Sequence, residues 1–283
     1  MTALPHPDDR LDYETRPLEG RLGVAADAFA AQVADASAVA VAFSGGVDSS
    51  VTLALSARAL GRHRVVAVLG VSPSLADLER RQAHATAAAL AIQCREIPTF
   101  ELDDPAYVAN RGNRCYFCKH ELYTRAFGSG VRALGCDVFV NGDTADDLRA
   151  TDRPGRRAAA ELGVRSPLAE AGIGKELVRT LAHALGLEVW DKPSAPCLAS
   201  RVPLHMPVTR ERLAQVEQAE AGLRALGLRH LRVRHLGATA RVELGAADID
   251  AVEGGGLRPA LERAVAAAGY AHVEVAAAPL ERG

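Results

Sequence analysis

The sequence predicts an α/β protein in which a parallel sheet forms one domain and a small α+β domain follows it. Between residues 39 and 99, short apolar runs alternate with stretches of helical periodicity, which is typical of parallel sheets covered by helices. A turn with two adjacent glycines, Gly45 and Gly46, joins the first strand to the next helix. After a segment bracketed by Pro203 and Pro207, the pattern changes to helices and paired strands, which indicates the second domain.

The spacing of apolar residues predicts where the helices and strands of the larger domain begin and end. Short runs of small and β-branched residues predict strands, and apolar residues three and four positions apart predict helices. The predicted strands are 39–43, 64–71, 93–99 and 137–141, and the predicted helices are 22–36, 47–60, 74–91, one that begins near Cys115 or Phe117, and 174–185. The arginine-rich segment 151–165 contains a Pro-Gly pair, so we expect it to be exposed and mobile.

The same reasoning divides the chain into three parts. Residues 1–20 are polar and contain prolines, and we expect a flexible tail. Residues 21–203 form the parallel-sheet domain, and residues 204–283 form the small α+β domain. Within the small domain the predicted helices are 209–226 and 257–268, and the predicted strands are 231–235, 240–244 and 272–276.

Composition narrows the class of protein. The chain has 283 residues, a net charge of -2 and a pI of about 6.5, so it has no overall electrostatic attraction to nucleic acid or to an anionic membrane. No apolar run approaches the ~18 residues that span a bilayer, and the N-terminus does not resemble a secretory signal. We therefore expect a cytoplasmic protein. Five cysteines in such a protein favour metal or catalytic roles over disulfides.

The glycine turn carries the first functional signal. Adjacent glycines let backbone N–H groups surround an anion, and the following helix points its positive end at the same place. The turn lacks the Lys-Ser/Thr pair of a Walker loop; Ser44 to Ser50 instead resembles the SGGxDS loop of ATP pyrophosphatases, the PP-loop proteins. That resemblance implies ATP binding, with Asp48 as a Mg²⁺ ligand. The implied ATP and pyrophosphate ligands are Ser44, Gly45, Gly46, Asp48, Ser49 and Ser50.

Three cysteines carry the second signal. Cys115 and Cys118 are three positions apart and Cys197 lies far along the chain, a set that leaves one open coordination position on a metal or cluster. Spacing leaves three alternatives open: a redox dithiol, a structural zinc, or buried thiols that act as small apolar residues. A zinc would take its fourth ligand from His120, His205 or Cys94, although core packing is the better interpretation of Cys94 and Cys136.

Together with the PP-loop, two further motifs resemble the LarE family: CYFCK at 115–119 and KPSAPCLASR at 192–201. The resemblance runs from about Leu18 to Val275. It implies ATP-dependent sulfur transfer in the biosynthesis of the nickel-pincer nucleotide, the cofactor of lactate racemase. ATP adenylates a carboxylate of pyridinium-3,5-biscarboxylic acid mononucleotide, and sulfur then displaces AMP to give a thiocarboxylate.

Within that family, Cys197 matches the cysteine that donates its own sulfur and is left as dehydroalanine. Members of that kind lack the CxxC pair. Because this sequence has Cys115 and Cys118, it resembles the other branch, in which three cysteines hold a [4Fe-4S] cluster that carries an extra sulfide. A chain with all three cysteines but no cluster would still use Cys197 sacrificially.

The resemblance also implies roles for polar residues. Asp146 and Asp147 are implied to lie near the reacting centre, the alternative being a solvated acidic turn. Arg232 and Arg234 alternate on a strand and share one face, where guanidinium groups suit phosphate oxygens. The implied ligands of the substrate phosphate are Ser200, Arg201, Arg232 and Arg234, whereas Glu243 and Asp248 match acidic groups linked to metal, without a definite role here.

Partners follow from the same resemblance: a small nucleotide substrate, sulfide or another sulfur donor, and further copies of the chain in a homo-oligomer, with neither membrane nor nucleic acid. Three rival functions use parts of the same pattern. They are a [4Fe-4S]-dependent tRNA thiolase, an ammonia-using ATP-dependent amide synthetase that needs no cysteines, and a nucleotide-binding sensor with a structural zinc.

Overall fold

The computed structural model describes residues 12–128, 135–149, 154–276 and 280. It divides into two compact units. The first comprises Met1–Ser72, Asp77–Glu101 and Asn113–Lys192, and the second comprises Pro73–Ala76, Leu102–Gly112 and Pro193–Gly283. The second unit thus begins earlier than the predicted boundary at residue 204, and it includes two short segments from within the predicted first domain.

Helices and strands alternate along most of the described chain. The helices are α1 (Gly20–Val33), α2 (Val47–Leu60), α3 (Asp77–Ala89), α4 (Pro105–Val108), α5 (Arg114–Gly128), α6 (Ala145–Arg149), α7 (Pro154–Glu161), α8 (Pro167–Glu170), α9 (Lys175–Ala184), α10 (Arg210–Ala225), α11 (Ala246–Glu253) and α12 (Arg258–Ala267). The strands are β1 (Val39–Ala42), β2 (Val65–Val71), β3 (Gln93–Pro98), β4 (Val138–Val140), β5 (Leu231–Leu236), β6 (Thr239–Leu244) and β7 (His272–Val275). Among the residues described, none of these helices is both long and apolar enough to cross a bilayer.

A four-stranded parallel sheet with the order β3-β2-β1-β4 organises the first unit. Val39, Ala40 and Val41 of β1 are completely buried because β1 lies between two strands and under helices on both faces. Strand order reverses between β1 and β4, and parallel sheets bind ligands at the carboxyl ends of strands beside such a reversal. The predicted α/β class is confirmed.

Segment 151–165 was expected to be exposed and mobile, and this expectation is wrong for its described residues, 154–165. Residues 154–161 form α7, and Ala158 and Ala159 are buried against the core. A Cβ atom on Gly155 would lie 2.7 Å from Cδ of Lys119 in α5. Small residues on one side of α7 therefore allow close packing on α5, and the guanidinium of Arg157 adds a contact 3.9 Å above the Tyr116 ring of α5.

The predicted tail, residues 1–20, is described only from residue 12. Tyr13 is buried and its hydroxyl donates to the Leu90 carbonyl at 2.9 Å. Arg58 donates to the carbonyls of Tyr13 and Glu14, both at 3.1 Å. Tyr13 is therefore packed on the first unit, while most of residues 12–19 are exposed to solvent.

The second unit contains a sheet of the order β5-β6-β7, in which β5 and β6 are antiparallel and β6 and β7 are parallel. Alternate residues of β5, beginning with Leu231 and Val233, enter a core shared with α10 and α12. Helix α11 was not predicted. Val252 is its one fully buried residue, so its apolar periodicity is weak.

Candidate active site

A cavity of about 240 Å³ opens at the carboxyl ends of β1 and β4 in the first unit, at the reversal of strand order. The end of β1, the start of α2, one side of α5 and the residues after β4 contribute to its wall. It is lined by Ala42, Phe43, Ser44, Asp48, Ser49, Lys119, Leu122, Tyr123, Asn141, Gly142 and Asp143. The wall therefore combines residues on both sides of the two turn glycines with the residues that follow β4.

Gly45 is required in the turn for two reasons. Its φ angle is +70°, a conformation that residues with a side chain rarely adopt. A Cβ atom there would also lie 2.8 Å from Cα of Ala83 in α3. The turn is consequently held between β1 and α3, with its backbone close to the positive N-terminus of α2.

The serines of the predicted phosphate loop have different surroundings. Ser49 Oγ accepts the Ser44 N–H at 3.2 Å and donates to the Gly46 carbonyl at 3.1 Å, which braces the turn. Ser44 and Ser49 also line the cavity. The hydroxyl of Ser50 is completely buried and has no hydrogen-bond partner among the described residues. Ser44 and Ser49 therefore reach the cavity and the Ser50 hydroxyl does not, and the predicted role of these serines as ATP ligands stays a prediction.

Gly142 brings the chain after β4 against the phosphate loop. A Cβ atom on Gly142 would lie 2.9 Å from the backbone nitrogen of Ser49. The absent side chain lets the two backbones approach, and it places Asn141 and Asp143 in the cavity wall beside Asp48.

Lys119, from the CYFCK motif, provides a positive charge in this wall. Its Nζ lies 3.0 Å from Oδ1 of Asp143, and Asn141 donates to the other carboxylate oxygen of Asp143 at 3.2 Å. Burial lowers the pKa of Lys119, but interactions with Tyr123 and Asp143 outweigh burial and leave that pKa raised. Lys119 is therefore a cation at neutral pH.

The cavity suits a Mg²⁺–nucleotide. Mg²⁺ is usually held by one or two protein carboxylates together with phosphate oxygens, and Asp48 and Asp143 line the same cavity. Within the described part of the chain, no group of three or more His, Cys, Asp or Glu side chains could hold a metal by itself. The sequence interpretation placed an acidic turn at this sheet edge but gave Asp143 no role. Its position two residues after Asn141, which ends the predicted strand, was the available signal.

Asp146 and Asp147, the predicted catalytic carboxylates, accept hydrogen bonds at helix N-termini. Asp147 is buried, and its Oδ2 accepts from the backbone N–H and hydroxyl of Thr144 at 3.0 and 2.9 Å, which is a capping arrangement for α6. Its other oxygen lies 3.4 Å from Nζ of Lys175. Asp146 accepts the Lys175 N–H at 2.6 Å, at the start of α9. Neither residue is among those described as lining the cavity, and their catalytic role stays a prediction.

All five cysteines are described, and all are thiols rather than disulfides. Cys115 is exposed and Cys118 is partly exposed in the first turns of α5, so residues three apart project from the same side of the helix. This pair suits two ligands of a metal or cluster. Cys197 is exposed in the second unit, and the three-cysteine cluster stays a prediction.

The other two cysteines have raised pKa values. Burial raises the pKa of Cys94 to about 11 and also raises that of Cys136. Both are therefore protonated at neutral pH, and neither is an effective nucleophile or metal ligand in this state. Cys136 is fully buried, whereas Cys94 is only partly buried.

Arg201 holds the loop that carries Cys197. Its guanidinium is 5% exposed, and Nε lies 2.9 Å from Oε1 of Glu220, which is 1% exposed. Nη1 donates to the carbonyls of Pro196 at 2.5 Å and Cys197 at 3.3 Å. The same carboxylate accepts the backbone N–H of Val233 at 3.1 Å. A buried ion pair thus ties the Cys197 loop to α10 and β5.

Arg232 and Arg234 lie on the same side of β5, as predicted from their spacing, and both contact the loop around Cys197. Arg232 donates to the Ser194 carbonyl at 3.0 Å, and Arg234 donates to the Ser200 carbonyl at 2.9 Å. Burial and the neighbouring charges of Arg201 and Arg234 lower the pKa of Arg232. These guanidinium groups give the loop positive surroundings that suit an anion.

The two acidic residues left without a role also have defined contacts. Glu243 forms an ion pair with Arg234, with both carboxylate oxygens within 3.1 Å of its Nε. Asp248 accepts the backbone N–H groups of Arg229 and His230, the latter at 2.6 Å. Glu243 therefore orients an arginine, and Asp248 ties α11 to the chain before β5.

Comparisons with known proteins identify the family. The sequence model of the NAD synthase family matches residues 28–112, which contain the phosphate loop. An uncharacterized protein of Synechocystis sp., slr1717, is 45% identical over 204 residues, 72% of this chain and 75% of that protein. LarE of Lactiplantibacillus plantarum, a pyridinium-3,5-bisthiocarboxylic acid mononucleotide synthase, is 36% identical over 223 residues, 77% of this chain and 79% of that enzyme. The chain belongs to the LarE family.

Membership of the LarE family confirms the predicted class of an ATP-dependent sulfurtransferase. A third relative, the uncharacterized protein MJ0830 of Methanocaldococcus jannaschii, is 27% identical over 206 residues, 73% of this chain and 77% of that protein. The match to the NAD synthase family accounts for ATP use through the PP-loop.

Proposed function

We propose that this LarE-family protein adenylates a carboxylate of pyridinium-3,5-biscarboxylic acid mononucleotide and converts it to a thiocarboxylate. The observation that carries the proposal is the cavity at the β1 and β4 ends, where the SGGxDS turn meets Asp143, in a chain related to LarE. A carboxylate resists attack until one oxygen becomes part of a good leaving group, and adenylation by ATP provides that group.

In the adenylation step the substrate carboxylate attacks the α-phosphate of ATP, the bond to the β-phosphate breaks, and pyrophosphate leaves. Backbone N–H groups of Gly45 and Gly46 and the hydroxyls of Ser44 and Ser49 bind phosphate oxygens at the α2 N-terminus. Asp48 and Asp143 would hold Mg²⁺, which when bound would neutralise charge on the triphosphate. Asp146 and Asp147 position the turn that carries Asp143, and this is the role that their contacts support.

In the transfer step sulfur attacks the acyl adenylate and AMP leaves. Cys115, Cys118 and Cys197 would hold a [4Fe-4S] cluster, which when bound supplies sulfide for the transfer. Without a cluster, the Cys197 thiolate displaces AMP and forms a thioester. A base then removes the Cα proton of Cys197, and cleavage of the Cβ–S bond releases the thiocarboxylate and leaves dehydroalanine. Ser200, Arg232 and Arg234 bind the substrate phosphate, and Arg201 positions the loop.

The test is anaerobic reconstitution with iron and sulfide, followed by turnover with ATP and the biscarboxylic nucleotide. We expect pyrophosphate and AMP in step with thiocarboxylate formation, no adenylation by Asp48→Ala, and adenylation without sulfur incorporation by Cys197→Ala.

Mass spectrometry of the peptide that contains Cys197 separates the sulfur sources, because only sacrificial transfer converts it to dehydroalanine. Full activity with ammonia in Cys115→Ala and Cys197→Ala would support the amide synthetase instead. Homo-oligomer formation stays a prediction that the same preparation tests by light scattering.

A further inference from the structure

Lys192 contacts the phosphate loop, and the proposed adenylation and sulfur-transfer steps do not use it. Its Nζ donates to the Gly45 carbonyl at 3.3 Å and to Oε2 of Glu79 at 2.7 Å. The side chains of Lys192 and Glu79 are 15% and 20% exposed. An ion pair that is largely shielded from water therefore lies against the glycine turn.

The position of Glu79 follows from the packing of α3 on this turn. Glu79 and Ala83 are four residues apart, so they lie on the same side of the helix. The Cα of Ala83 is the atom that a Cβ on Gly45 would approach to 2.8 Å. The close approach that requires a glycine in the loop therefore also directs the Glu79 carboxylate toward it.

The backbone of Lys192 is anchored as well. Arg179 of α9 donates to the carbonyl of Trp190 at 3.0 Å and to that of Lys192 at 3.3 Å. With the backbone held by α9 and the ammonium held by Glu79, the side chain loses little further freedom when a ligand binds.

Lys192 contacts the glycine turn beside the cavity rather than the cavity wall itself, and the charges of that wall indicate what an ammonium at the turn is suited to bind. Asp48 and Asp143 contribute negative charge, and the positive charge of Lys119 is paired with Asp143. A triphosphate needs additional positive charge beside the glycine turn. The Lys192 ammonium has three N–H donors, and its hydrogen bonds to described residues use two of them.

We propose that Lys192 binds an oxygen of the triphosphate of ATP and of the departing pyrophosphate, and that Glu79 positions its ammonium. This inference rests on the proposed ATP-dependent function. A purely structural role, in which the ion pair only fastens α3 to the loop, makes a different prediction. It requires loss of Glu79 and loss of Lys192 to have similar effects, whereas phosphate binding requires them to differ.

Isothermal titration calorimetry on the full chain distinguishes these roles, with Mg²⁺–ATP, pyrophosphate and AMP as probes. We expect Lys192→Met to weaken ATP and pyrophosphate binding by roughly 10- to 100-fold, the range for a lost charge-assisted hydrogen bond, and to change AMP binding less than about 3-fold. Glu79→Gln keeps an oxygen that accepts a hydrogen bond from the Lys192 ammonium, so the ammonium stays in place, but it removes a negative charge near the phosphates. ATP affinity should therefore stay within about 3-fold or rise. Lys192→Arg should retain part of the ATP affinity.

Arg80→Met is the matched control. Arg80 is the next residue of α3 and loses the same charge, but its partner is Glu96 at 2.6 Å, so ATP affinity should be unchanged. Unchanged AMP binding shows that Lys192→Met is folded. Equal losses of ATP affinity in Lys192→Met and Glu79→Gln, or no loss in Lys192→Met, would overturn this inference but not the proposed function. Wild-type protein that binds no ATP would overturn the proposed function together with it.

Discussion

The phosphate loop in the first unit and the Cys197 loop in the second unit are held in place by different forces. Glycines shape the phosphate loop, because Gly45 and Gly142 allow backbones to approach where a Cβ would clash. Buried charge shapes the Cys197 loop, because Arg201 and Glu220 are almost fully removed from water. Close backbone packing leaves N–H groups available to a ligand, whereas the Arg201 guanidinium is already occupied by protein acceptors.

The largest expected effect comes from removing the buried ion pair that holds the Cys197 loop. Glu220→Ala leaves Arg201 buried without its carboxylate, so we expect the free energy of unfolding to fall by about 3–5 kcal/mol. Urea denaturation of the full chain measures this change. Glu262→Ala is the control, because Glu262 forms an exposed pair with Arg258 and its loss should cost at most about 0.5 kcal/mol. Similar losses in the two variants would contradict a structural role for the buried pair.

The second-largest effect comes from adding a side chain where Gly142 approaches the phosphate loop. In Gly142→Ala the new methyl group would lie 2.9 Å from the Ser49 nitrogen, so the backbone must move at a cost of about 1–3 kcal/mol. We expect lower ATP affinity and a lower melting temperature. Gly128→Ala is the control, because a Cβ there meets nothing within 4 Å. If Gly142→Ala bound ATP with wild-type affinity, the close approach would not matter to the site.

The third prediction separates the carboxylates that follow β4. Asp143→Asn removes a charge from the cavity wall, so we expect loss of pyrophosphate release with little loss of stability. Asp147→Ala removes the cap of α6, so we expect the free energy of unfolding to fall by about 1–2 kcal/mol, with a smaller loss of adenylation per folded molecule. Steady-state pyrophosphate release and thermal unfolding measure both. The reverse ranking for adenylation would support Asp147 as the catalytic carboxylate.

The smallest effect concerns ion pairs at the surface of the first unit. The hydrogen bond from Arg80 is the largest cause, burial opposes it, and the hydrogen bond from His84 adds to it; together they lower the pKa of Glu96 to about 2 from an ordinary value of 4.5. A carboxyl with a lowered pKa stabilises the folded state above pH 4.5, and that stability is lost as pH falls toward 2. Because the group is partly exposed, we expect only about 1 kcal/mol. Unfolding measured from pH 7 to pH 2 should show a shallower acid decline for Glu96→Gln; an identical decline would exclude the contribution of this pair.

Much of the larger domain was predictable from local pattern. Strands such as β1 and β2 are buried on both faces, so short apolar runs identify them, and the SGGxDS turn between β1 and α2 identifies the phosphate site. Helices α7 and α11 were missed for a shared reason. Small or polar residues dominate both, and α7 is held by close packing on α5, so both helices contain few of the large apolar residues that mark a buried helix face.

By itself, the sequence determined the α/β class, the phosphate loop and the family, because glycine spacing and short motifs carry that chemistry locally. Only the tertiary structure decided which side chains reach the cavity: Asp143 lines it, whereas Asp147 caps a helix and the Ser50 hydroxyl is buried. The tertiary structure also brought Lys192 to Gly45 across 147 positions of sequence. Contacts of this range depend on how helices pack against the sheet, and no local pattern of residues specifies them.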